Sequence, residues 1–302
     1  MPNPTHSQAP VRSLARRPVA VRDDRRLIGP IALFLSAALC GACRTLPTPE
    51  PTPMTQHPSP CCRIIELRQY TLQPGQRDTL IDLFDSEFVD TQEATGMRII
   101  GQFRDLDDAA RFVWLRGFDD MPARARALDA FYSGPVWQAH RNAANATIID
   151  SDNVLLLQPA GATAGFDLGG LVRFGRDAGA SARGIVVATL LDFGDRGDPG
   201  FGAYFDTQMA PLLAQSGIDV LARLITEPAA NTYPRLPVRA GAQVFVWIAR
   251  YDDAADHAHR LAELERNAHW RAIQARLRDR GVDVQTLRLA PTSRSLIPAP
   301  VR

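Results

Sequence analysis

Glu66, Arg68 and Tyr70 occupy every second position of RIIELRQY (63–70), a run whose alternation reads as a β-strand. Alternation sends these three side chains to one face, about 7 Å apart, and Ile65 and Leu67 to the other. An acid, a base and a phenol in a row can hold a small amphipathic or anionic ligand through charge-assisted hydrogen bonds. Trp114 and Arg116, on a later strand, and His140, following Trp137 near a helix end, complete the set of ligand-binding candidates. The expectation is that Ile65 and Leu67 lie under helices and that the polar face lines a space between two sheets. The competing reading is a structural Glu66–Arg68 ion pair with Tyr70 against the core.

Other chemistries find less support. His257 and His259 stand two apart on an expected helix and point in different directions, a poor pair for a metal. Glu265 and His269 are spaced for a solvated helical pair. Asp119-Asp120 and Asp252-Asp253 precede helices, where acids offset the dipole. The sequence contains no lysine, which excludes an imine-forming lysine and a Walker-type phosphate loop. No serine elbow, glycine-rich phosphate loop or zinc pattern occurs, so neither a cofactor nor a metal is expected. A net charge of +1 gives no field that favours nucleic acid. Cys40, Cys43, Cys61 and Cys62 all precede the first strand, so no disulfide framework crosses the folded part. The adjacent Cys61 and Cys62 have poor geometry for pairing with each other and read as two thiols.

The elements that must position these residues begin after an address. Arg16, Arg17, Arg22, Arg25 and Arg26 precede an uncharged apolar run, 27–43, ending in Cys40-Gly41-Ala42-Cys43. This is the order of an export signal. Two readings stay open: a lipoprotein signal with Cys43 as the lipidated residue, or an uncleaved N-terminal helix as anchor. Either places the protein in the cell envelope, as a lipoprotein facing the periplasm or outer membrane or as a membrane-anchored protein. Six prolines between 47 and 60 make a semi-rigid tether that cannot build a core.

From 61 the pattern changes to β-α-β-β-α-β, the ferredoxin-like order. Strands are expected at 63–70, 97–104, 111–118 and 153–158, with helices between 74 and 96 and from 119 onward. The pattern then recurs. Trp114 and Trp247 lie in matching strands, Phe-Val-Trp-Leu and Phe-Val-Trp-Ile, and Trp137 and Trp270 follow at the same separation. The second set of strands is expected at 184–193, 218–227, 243–251 and 283–289, with helices at 201–215 and 252–280. The expected organisation is therefore a signal and tether over 1–60, a first domain over 61–160, a linker over 161–183 and a second domain over 184–295. The fold class is α+β: tandem ferredoxin-like domains, two repeats in one chain, whose open sheet faces pack together. A cavity would lie between those sheets.

Glu66-Leu67-Arg68-Gln69-Tyr70-Thr71-Leu72-Gln73-Pro74-Gly75 resembles the opening strand of NIPSNAP proteins. Gly101-Gln102-Phe103, the 112–118 strand and Pro135-Val136-Trp137 through His140-Arg141 are similar to that family too. The resemblance covers about 62–159 well and the second copy weakly. It implies a dimeric α/β-barrel fold and a role in protein interactions, and brings no catalytic motif; the export segment departs from the family pattern. Two functions follow as expectations. The first is an exported, membrane-tethered protein that binds a ligand or partner, with a homo-oligomer as one partnership. The second is a small cofactor-free oxygenase or isomerase acting in a cleft between the sheets.

Overall fold

The computed structural model describes residues 61–176 and 184–298. The apolar run, Cys40, Cys43 and the proline tether lie outside the described residues, as does part of the expected linker. No helix among the described residues is long and apolar enough to cross a membrane.

Eight strands form one closed barrel: β1 (Ile64–Leu72), β2 (Arg98–Asp105), β3 (Arg111–Phe118), β4 (Ile148–Pro159), β5 (Ile185–Asp192), β6 (Asp219–Thr226), β7 (Val244–Tyr251) and β8 (Asp283–Pro291). The circular order is β1-β3-β2-β8-β5-β7-β6-β4. The first half thus runs β4-β1-β3-β2, and the second runs β8-β5-β7-β6. Short antiparallel ladders between β2 and β8 and between β4 and β6 sew the halves together. Closure removes the free sheet edges that two separate sheets would leave.

Eight strands leave an interior just wide enough to be filled by side chains. Ile65 and Leu67 of β1, Val113 and Leu115 of β3, Val186 and Ala188 of β5, and Val246 and Ile248 of β7 belong to the single aliphatic cluster that fills it. Phe166, from the segment expected as a linker, adds its ring to that cluster, and its carbonyl accepts from Cys61 N at 3.0 Å. The interior around Ile65 and Leu67 is apolar and offers a charge no partner there, which decides the parity of this part of β1. Ile65 and Leu67 turn inward, whereas Glu66, Arg68 and Tyr70 turn outward beneath the helices. The sequence expectation had these faces reversed, and the apolar cluster fills the space between the sheets around Ile65 and Leu67.

The helices lie on the outer face. In the first half α1 (Arg77–Leu83) and α2 (Val89–Glu93) are joined by a π turn, Phe84–Phe88. They are followed, after β3, by α3 (Met121–Ser133) and α4 (Pro135–Ala146). In the second half α5 (Phe201–Tyr204) and α6 (Ala210–Gln215) flank a π turn at Phe205–Met209, and α7 (Ala254–Arg266) and α8 (Ala268–Asp279) follow β7. Asp120 caps α3, its Oδ1 accepting from Ala123 N at 2.6 Å, and Asp253 caps α7, accepting from Asp256 N at 2.8 Å. The helix expected over 252–280 breaks at Asn267, whose side chain accepts from the amides of His269 and Trp270 and starts α8 anew. A second correction concerns Cys61 and Cys62: their sulfurs are bonded to each other. Cys62 is buried against Gly117, where any Cβ would collide with its Sγ.

Candidate functional site

The outer face of β1 carries a buried charge cluster. Glu66, Arg68, Arg116 and Arg124 are all 1% exposed or less. Alternation on β1 and β3 places the first three side by side, since Glu66 pairs with Arg116 and Arg68 with Trp114 in register. Arg124 enters from above. Its position on α3 belongs to the apolar stripe Arg124, Ala127, Leu128, Phe131, so helical geometry drives a guanidinium into the core.

All three arginines converge on one carboxylate. Arg68 Nη1 and Arg116 Nε donate to Glu66 Oε2 at 2.7 and 2.8 Å, with Arg116 Nη2 at 2.7 Å from the same oxygen. Arg124 Nε donates to Oε1 at 2.6 Å. Burial alone would raise the Glu66 pKa, but Arg116, Arg68 and Arg124 outweigh it and hold the carboxyl well below the usual range. Neutral acceptors take further donors. Arg68 Nε reaches Tyr70 Oη at 3.1 Å, and Arg116 Nη1 reaches Gln92 Oε1 at 3.2 Å. Arg124 Nη1 reaches Asn231 Oδ1 at 3.0 Å and Thr232 Oγ1 at 3.2 Å. Arginine keeps its charge at any ordinary pH. Three guanidinium groups against one carboxylate therefore leave a positive excess in a dry site, an arrangement that favours an additional anion.

Next to this cluster lies a cavity of about 100 Å³ between the sheet and the helices. Tyr70, Trp114, Phe84, Phe88, Phe131 and Trp137 are among its walls. Their rings pack edge to face, with Phe84 and Trp114 4.8 Å apart and Tyr70 and Trp114 5.9 Å apart. The π turn places Phe84 and Phe88 on this wall, and such turns recur at functional sites. The wall carries two hydrogen-bond donors without an acceptor. Trp114 Nε1 is buried with no partner among the described residues. Tyr70 accepts from Arg68, and no acceptor for its own proton is found among the described residues. Burial raises the Tyr70 pKa against the pull of Arg68, so the phenol keeps that proton.

The loop 227–243, between β6 and β7, closes the site from the other half of the barrel. Besides Asn231 and Thr232, it brings Leu236 to the cavity wall and Tyr233 onto Tyr132, ring centres 6.1 Å apart. Its counterpart between β2 and β3, 106–110, is far shorter.

Of the six sequence candidates, Glu66, Arg68 and Arg116 form the cluster, and Tyr70 and Trp114 form the adjoining wall. His140 stands apart, partly exposed, its ring 6.3 Å from Phe88 and its Nε2 3.8 Å from Glu87. Sequence reasoning missed Arg124, Gln92 and Tyr132. Arg124 had a signal, an arginine where helical spacing demands an apolar residue; Gln92 and Tyr132 had none.

Residues 65–162 match the family model described as NIPSNAP. Among solved structures, an uncharacterized NIPSNAP-like domain protein from Burkholderia xenovorans is 28% identical over 32% of this chain and 84% of its own, with a TM-score of 0.30. A NIPSNAP family protein of unknown function from Agrobacterium tumefaciens is 17% identical over 32% of this chain and 88% of its own, with a TM-score of 0.31. A proposed monooxygenase from Lactobacillus acidophilus is 12% identical over 76% of this chain and 94% of its own, with a TM-score of 0.47. No curated protein matches the chain.

Proposed function

We propose, from the premise that residues 65–162 form a NIPSNAP domain, that this domain binds a small single-ring molecule through an anionic oxygen, in the cavity between its sheet and its helices. The observation that carries the reading is the charge excess of Arg68, Arg116 and Arg124 over Glu66, beside a wall whose Trp114 N–H lacks an acceptor. The aromatic walls suit a planar ring. A cavity of about 100 Å³ is roughly the liquid volume of three waters and smaller than the about 150 Å³ that admits benzene, so one ring is the upper limit and its entry requires the aromatic walls to part. Tyr70 Oη and Trp114 Nε1 would donate to the anionic oxygen, and the guanidinium groups behind them would stabilise its charge.

The oxygenase or isomerase reading is weaker on this geometry. The described cavity lining contains no carboxylate, histidine or cysteine. Glu66, the carboxylate of the adjoining cluster, is held ionised by three guanidinium groups and is a poor proton acceptor. A site that binds without a base fits a carrier or sensor better than a proton-transfer enzyme.

The wider setting of this binding protein is read from the chain as a whole. The shared strand order, the matching π turns and the paired tryptophans support two copies of one ferredoxin-like unit in a single chain. The basic start, the apolar run 27–43 and the proline tether support export and attachment to a membrane through Cys43 or an uncleaved helix.

Tryptophan fluorescence tests the binding proposal. Benzoate should quench it saturably, with benzamide, its neutral counterpart, at least tenfold weaker. Trp114→Phe keeps the ring and removes the N–H, and should weaken benzoate by about tenfold or more, the range for a hydrogen bond to a charged group. Equal affinity for benzoate and benzamide would overturn the reading.

A further inference from the structure

The second half keeps the architecture of the first site but exchanges its chemistry. On β5 and β7, Thr189 pairs with Trp247 as Arg68 pairs with Trp114 on β1 and β3. By the same register Val187 stands where Glu66 stands, Leu191 where Tyr70 stands and Ala249 where Arg116 stands. His257 follows the cap Asp253 by the same spacing that separates Arg124 from the cap Asp120. Every member of the charge cluster is thus replaced by a smaller or uncharged residue.

The space vacated by those side chains is there. A cavity of about 250 Å³ lies between β5, β7 and the helices α7 and α8, against about 100 Å³ in the first half. Trp247, Trp270, Met209 and Leu264 are buried in its wall, with Thr189 beside them. At its mouth, Leu261 and Val284 are 37% and 42% exposed, two of the few large apolar side chains that face solvent among the described residues. Glu265, exposed at the same mouth, would repel an incoming anion. Burial, reinforced by Arg288, lowers the His257 pKa, so the ring edge packed on Tyr251 at 4.7 Å is neutral at neutral pH.

We propose that this second cavity is a separate binding site for a neutral, largely apolar small molecule of about two rings. Its volume is roughly that of eight waters in the liquid, enough for a bicyclic or two-ring compound. The walls offer dispersion and ring packing, and Thr189 offers one hydroxyl for orientation. The two halves would then bind unlike ligands, one selected by charge and one by its lack of charge.

Two dyes with the same bicyclic ring system test this: 1-naphthylamine, which is neutral, and 5-amino-1-naphthalenesulfonate, which adds a sulfonate. The neutral dye should show saturable fluorescence enhancement at one site per chain, with the sulfonate at least tenfold weaker. Thr189→Phe fills the cavity and should weaken the neutral dye at least tenfold. Val284→Arg, at an exposed position that leaves the core intact, should do the same by blocking the mouth, so the test survives if the first variant fails to fold. Circular dichroism confirms the fold of each. No saturable binding of the neutral dye, equal affinity for the sulfonate, or wild-type affinity in a folded Val284→Arg variant would overturn the proposal.

Discussion

The guanidinium carbon of Arg68 lies 5.5 Å from the centre of the Trp114 ring, and the two residues face each other in register across β1 and β3. This pair joins the charge cluster to the aromatic wall: the arginine belongs to one and the indole to the other. Cation–π contact of this kind holds both in place in a dry site.

Removing the shared carboxylate should be the most damaging single change. Glu66→Gln leaves three buried guanidinium groups without their anion, and breaking a buried ion pair from one side costs about 3–5 kcal/mol. Urea unfolding measures it. A loss below about 1 kcal/mol would mean that the arginines are solvated by other means.

The same carboxylate sets an acid limit. Its folded pKa is depressed by Arg116, Arg68 and Arg124 against the opposing effect of burial. The unfolded chain, with Glu near 4.3, therefore binds more protons as the pH falls below that value. The Glu66 contribution is fully present above about pH 4.3 and is lost progressively below it. Unfolding free energy measured between pH 6 and pH 3 should fall more steeply for the wild type than for Glu66→Gln. Parallel slopes would show that Glu66 is not held in its ionised form.

Arg68→Met separates binding from folding. Glu66 keeps Arg116 and Arg124, so the variant should fold. The site loses the positive charge behind Tyr70 and Trp114, and benzoate should weaken by about tenfold or more, since a unit charge about 6 Å away at an effective dielectric near 20 contributes roughly 3 kcal/mol. Unchanged benzoate affinity in the folded variant would make the cluster purely structural.

The proposed attachment to a membrane has its own test. Cys43→Ser should release the protein from the membrane fraction if a lipid on Cys43 is the anchor. Continued firm association would instead assign the anchor to an uncleaved apolar helix over 27–43.

Particular residues explain how far the sequence could be read. The strand 111–118 is expected and found with the same bounds, because its apolar run is flanked by turn residues on one side and a helix cap on the other. Asp120 and Asp253 were legible as helix starts for the same reason: a cap is local chemistry. The face of β1 was not legible. Alternation gives two faces and does not say which is inside, and in this fold both are buried. What decides is the closure of the barrel, a long-range event that makes the interior aliphatic and sends Glu66 outward to meet Arg124. That partner was itself marked in the sequence by an arginine on an apolar helical stripe. The contribution of Asn231 and Thr232, more than a hundred positions away, leaves no local trace.

The central claim, an anionic ring held in the first cavity, is tested most directly by a crystal structure of the protein grown with benzoate. The account expects the ring among Phe84, Trp114 and Phe131, with a carboxylate oxygen within hydrogen-bonding distance of Trp114 Nε1. A cavity holding only water at saturating benzoate, or benzoate bound solely elsewhere, would contradict it.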